Sequence, residues 1–160
     1  MPSHFADRSA AERALQLALP LIEPLMAVPE VCGSGFLYLV VMDPALGPAE
    51  ARFEDAILLE HAVGDRARWD ADYAAFAHGK ARLAWRERHD GRDVQQQPWR
   101  LREGDSLLAG AVVLDGIVVA ASGAHAQWDE AFATTLAACL KAVARDRHEQ
   151  ALKAGQLVAG

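Results

Sequence analysis

Apolar residues recur along this chain with two periods, and the change of period marks the elements. Residues 36–42, Phe-Leu-Tyr-Leu-Val-Val-Met, are apolar without a break, which predicts a strand covered on both faces and therefore central in its sheet. Two short apolar runs meet at Asp115-Gly116. Asp-Gly supplies the positive φ values that a type I′ turn needs, so the two runs predict a hairpin. The second run stops at Ser122-Gly123, and Asp129-Glu130 follows just before a helical pattern. Carboxylates there suit the positive end of a helix dipole. Over residues 127–150, Trp128, Phe132, Leu136, Cys139 and Val143 form an apolar stripe at helical spacing that should pack on the sheet. Lys141, Arg145 and Arg147 fall toward its C-terminal end, where cations suit the dipole.

The same reading places two more helices. Ser9-Ala-Ala-Glu12 has the form of a capping box, so a helix is expected over 10–19, with Leu15, Leu19 and Ile22 on one face. Pro20 predicts a kink or a restart. A second helix is expected over 69–88, where Trp69, Tyr73, Phe76 and Leu83 share a stripe with Lys80 in its middle. His78, Arg82 and Trp85 lie on the opposite face, and an indole there suggests a cover, either a loop or another subunit. Residues 52–61 read as the return strand of the first run, although Glu54-Asp55-Ala56 is poor strand material. Residues 99–102 read as a short strand. Cys32-Gly-Ser-Gly35 lacks a third glycine and precedes a strand, so it is not a dinucleotide-binding loop. The order is helix, two strands, helix, two or three strands, helix. That predicts one domain over 1–160 of the α/β class, α+β type, with a mainly antiparallel central sheet of about five strands and helices on its faces. The tail from 154 onward is expected to fray.

Composition narrows the partners. Hydrophobic residues make up 52% of the 160 positions and charged residues 24%, which is globular and not disordered. The net charge of −6, with no basic stripe, argues against nucleic acid. Cys32 and Cys139 form no Cys-x-x-Cys and read as reduced thiols. No apolar run approaches the length of a membrane span, and residues 1–8 lack a signal-peptide pattern, so a cytoplasmic protein without membrane contact is expected.

Few residues carry candidate chemistry. An ammonium on an apolar stripe must snorkel, find a carboxylate or lose its proton, so Lys80 is expected to pair with Asp43 or Asp129, or to bind an anionic ligand. The six histidines show no metal-site spacing, and no metal centre is expected. His125 lies in a loop at a strand end, where function collects, and His78 lies near Lys80 in sequence. Ser122 lacks the Gly-x-Ser-x-Gly of a nucleophile elbow. Asp129 reads as a helix start or as a pocket acceptor for Lys80 or a ligand hydroxyl. Glu60 and His61, adjacent on a strand, point to opposite faces and cannot act on one atom. No catalytic constellation emerges, and whether the protein is an enzyme stays open.

Asp115-Gly116, Ser122-Gly123 and Asp129-Glu130, with Lys80-Ala81, Val40-Val41-Met42-Asp43 and Gly47, resemble the GlcG/HbpS-like family, described as haem-binding or haem-degrading-like domains. Two departures stand out. Leu83-Ala84 replaces a Thr-Ala, and Ala109-Gly110-Ala111-Val112 replaces the Gly-Gly-x-Pro leading into the hairpin. The resemblance implies a profilin-like three-layer α/β/α sandwich. It also implies a homodimer or higher homo-oligomer holding a small ligand, with haem or another tetrapyrrole the named cofactor. Lys80, His125, Asp129 and His78 are the candidate binding residues. Two alternatives remain: an enzyme acting on a small organic acid or haem-derived substrate, and an oligomeric scaffold that dimerises through the Trp85 face.

Overall fold

The computed structural model describes residues 4–155. Its first helix, α1, spans Arg8–Ile22. The cap is Asp7, whose Oδ1 accepts from the Ala10 amide at 2.9 Å, and not Ser9. Both residue types cap well, and the helix starts at the earlier one. Pro20 neither kinks nor restarts α1, which continues to Ile22 before a 3₁₀ turn over Glu23–Ala27. Pro20 is on the exposed side, where water can satisfy the carbonyl it frees.

Four strands follow: β1 (Leu37–Met42), β2 (Ile57–Val63), β3 (Ala111–Leu114) and β4 (Ile117–Ser122). They form one antiparallel sheet in the order β2-β1-β4-β3. Every residue of β1 and of β4 is buried, as central strands require. Val112 pairs with Val119 and Val113 with Val118 across the hairpin. Asp115 and Gly116 turn it with φ of 48° and 81°. The sheet has four strands, not about five. Residues 98–100 are a 3₁₀ turn opened by Pro98, which has no N–H for a ladder. Arg100 is drawn back to Glu87, with Nε 3.0 Å from its carboxylate, and Trp99 is left 79% exposed. Glu54–Ala56 is likewise a 3₁₀ turn, so β2 begins later than the sequence pattern indicates.

Alternation along the strands builds three layers. Leu37, Leu39, Val41, Val119 and Ala121 face α1 and the long α4 (Ala126–Lys153). In α4, Phe132, Leu136, Leu140 and Val143 are buried, whereas Cys139 is only half-buried. Fully burying such an aliphatic side chain contributes about 1.5–3 kcal/mol. Tyr38, Val40, Met42, Val118 and Ala120 face the other way, toward α2 (Tyr73–Glu87). Asp72 caps α2 by accepting from Ala75 N, so Trp69 lies before the helix. Ala77, Ala81 and Ala84 form its contact face with the sheet. Their small side chains let the helix come close. Phe76 is rotated out and is 45% exposed. Trp85, expected under a loop or another subunit, is buried: its Nε1 donates to the Leu46 carbonyl at 2.9 Å and its ring meets Phe53. The cover is a loop of its own chain, and the Trp85 face is not free for a partner. A short α3 (Gly91–Gln95) follows, and Asp90 beside it accepts from Val113 N on the edge strand β3.

Candidate functional site

Lys80 and Asp129 meet where α2, the end of β4 and the start of α4 converge. Lys80 is 4% exposed and Asp129 2%. Nζ donates to Asp129 Oδ2 at 2.9 Å and to the Ala121 carbonyl at 3.1 Å. Asp129 Oδ1 accepts from the Ala124 amide at 2.9 Å, so the carboxylate ties its own helix back to the preceding loop. Burial pushes the Asp129 carboxyl up to about 6, outweighing the pull of Lys80 and of the Ala124 and Gly123 amides.

Two glycines make this geometry possible. A Cβ on Gly110 would fall 2.6 Å from the Ala121 carbonyl and 2.8 Å from Lys80 Nζ, so only glycine lets the hairpin pass beside the ammonium. A Cβ on Gly123 would fall 2.1 Å from the Phe36 carbonyl. The residues that lead into the hairpin thus keep a glycine where the lysine arrives.

An open cavity of about 240 Å³ lies against the pair. Its polar wall is Lys80, Asp129 and Ser122. Tyr73, Phe76 and Leu108 supply an apolar wall, and Gly123, Ala124 and Ala126 form part of the rim. Ser122 is no nucleophile elbow, and the motif reading does not mark it. A parity signal was there: Val118 and Ala120 face α2, so Ser122 does too. Leu108 and Ala109 come from an irregular stretch with no periodicity to read.

The two histidines go elsewhere. His125 occupies the N-cap position of α4, is exposed, and sets Nε2 3.1 Å from the Pro29 carbonyl. It joins two loops and does not line the cavity. His78 pairs with Glu60, which also accepts from the Tyr38 hydroxyl at 3.0 Å. Burial and Glu60 push the Tyr38 hydroxyl up to about 12. Asp43, the other partner considered for Lys80, pairs with His4 at 2.9 Å.

No family model matches the chain. No curated protein matches it either. Among solved structures, the chain is similar to the Klebsiella pneumoniae protein ORFY, described as DUF336, the GlcG-like family. Identity is 17%, with 83% of this chain and 89% of that one covered, at a TM-score of 0.51. At that identity the likeness is one of fold.

Haem, the group the resemblance implies, needs room for its macrocycle and an axial ligand to its iron. Pockets for drug-sized ligands run to about 300–1,000 Å³. This cavity, at about 240 Å³, falls below that range, and no histidine lines it to serve as an axial ligand. The cavity does not fit haem. Among the described residues no cluster of three His, Cys, Asp or Glu side chains could hold a metal ion. No helix among them is long and apolar enough to cross a membrane.

Proposed function

We propose that the protein is a small-ligand-binding module, a divergent GlcG/HbpS-like domain working in the cytoplasm, whose site is the cavity beside Lys80 and Asp129. One observation carries the reading: a fully buried ion pair borders an open cavity. Burying an ion pair is costly, and replacing one with apolar side chains is often neutral or stabilising. Its position at the wall of a concave space therefore favours a role in recognition. His78 and His125 are set aside as ligand contacts because neither reaches the cavity.

A fragment screen followed by amide NMR shifts tests this. Small organic fragments should move the resonances of Lys80, Ser122, Gly123 and Ala126. Shifts confined to other surfaces would reject the site. Self-association is a second reading, favoured by Phe76, Leu107 and Leu108 at 45%, 72% and 51% exposure beside the cavity mouth. Light scattering on Leu107→Glu would then report a smaller particle than the parent chain, and equal masses would count against it.

A further inference from the structure

The donors around the cavity are not all used, and their inventory points to one ligand chemistry. An ammonium has three protons, and Lys80 spends two of them, on Asp129 and on the Ala121 carbonyl. The Ser122 hydroxyl lines the cavity from a residue only 4% exposed. No side-chain hydrogen bond engages it among the described residues. At the head of α4 the amides of Trp128 and Asp129 both turn back to the His125 carbonyl, and His125 donates to Val31. The amides of Ala126 and Gln127 have no such acceptor, and Ala126 is on the cavity rim. Both oxygens of Asp129 are already engaged, so the wall offers an incoming ligand more donors than acceptors. The wall opposite, Tyr73, Phe76 and Leu108, is apolar.

We propose, resting on the reading above, that the cavity takes a small monocarboxylate. Its carboxylate is held by the Ser122 hydroxyl, the third proton of Lys80 and the open amides at the start of α4. Its short apolar tail lies against Tyr73, Phe76 and Leu108. The helix start contributes the positive end of a 28-residue dipole. The Ser122 side chain, on a residue 4% exposed, lines the cavity without a hydrogen-bond partner among the described residues, and it is the independent mark of a ligand there. Asp129 is the one acidic group in the wall, and its charge is matched by Lys80.

The probes are butyrate, the neutral isostere butyramide, and inorganic phosphate, each titrated into the whole protein and read by amide NMR. Butyrate should move the Ala126 and Gln127 amides and bind at least tenfold tighter than butyramide. Ser122→Ala, with near-ultraviolet circular dichroism confirming its fold, should weaken butyrate about tenfold, the size of one hydrogen bond to a charged group. Leu108→Ala should weaken butyrate while leaving acetate unchanged. Equal binding of butyrate and butyramide overturns the proposal, as does phosphate binding tighter than butyrate. If other fragments bind in the cavity and butyrate does not, the carboxylate class fails while the site stands. If nothing binds there, both fail.

Discussion

The two faces of the sheet are built to different rules. The face toward α1 and α4 is apolar throughout, with Leu37, Leu39, Ile22, Leu136 and Leu140 among its fully buried side chains. The face toward α2 is covered by a single helix whose contacts are alanines, with an aromatic cluster over β1 and, beside it, a buried ion pair against β4. In the aromatic cluster, Tyr38, Trp69 and Tyr73 stack edge to face and Arg66 lies over the Trp69 ring at 4.6 Å. That cluster is closed. Beside the cluster Phe76 turns outward, and the cavity opens between Tyr73 and the ion pair. One face therefore spends its residues on packing, while the other keeps polar groups that packing would not select.

The comparison is broken most directly by removing one charge. Lys80→Met should cost about 3–5 kcal/mol, because Asp129 is left buried without its partner. The double change Lys80→Met with Asp129→Leu should recover most of that loss in urea unfolding and still abolish binding at the cavity. On the other face, Leu136→Ala should cost about 2–5 kcal/mol, and no single polar change should rescue it, since the loss there is contacts and a cavity. A double variant no more stable than Lys80→Met would show the ion pair to be a structural necessity, and the contrast between the faces would fail.

Much of the difference between the faces was legible in the residues. The Asp115-Gly116 turn, the unbroken run of β1 and the α4 stripe fixed the layers, because each signal is local and periodic. Lys80 stood out because it interrupted an apolar stripe, and the choice between Asp43 and Asp129 needed three dimensions. What stayed hidden depended on irregular chain. The rim residues Leu108 and Ala109 belong to no repeating pattern. Residues 99–102 resemble a strand until Pro98 and the Arg100–Glu87 pair turn them away. His125 sits beside the cavity in sequence, yet the N-cap geometry sends its ring back to Pro29.

A smaller effect sharpens the comparison through pH. The Asp129 carboxyl lies at about 6 in the folded protein, against 3.8 for the ordinary group. Between those values the native state holds a proton that the unfolded chain has released. The stabilisation from this group is complete below 3.8 and is lost as pH rises through about 6. Its full span is about 3 kcal/mol, at 1.36 kcal/mol for each pH unit. Glu87 and Asp105, held below the usual carboxylate range by Arg86, act with the opposite sign. The measurable quantity is therefore the difference between parent and Asp129→Asn in urea unfolding from pH 4 to pH 7. That difference should slope, the parent losing stability relative to the variant as pH rises. A flat difference would mean that Lys80 holds the carboxylate ionised throughout, and that burial does not dominate at the ion pair.

The smallest effects are expected at the histidines. The His78–Glu60 pair has side chains 33% and 35% exposed, and an ion pair so open to water contributes about 0–1 kcal/mol. His125 holds a carbonyl at the surface. Neither ring reaches the cavity, so His78→Ala and His125→Ala should leave butyrate affinity within twofold of the parent. Haemin titrated into the parent and into both variants should give the same Soret band in all three. A band that shifts in the parent and reverts in His125→Ala would put a haem iron at the head of α4, outside the cavity. The ion pair beneath α2 would then be the neighbour of the binding site and not the site itself, because His125 Nε2 is held at the Pro29 carbonyl and the ring does not line the cavity.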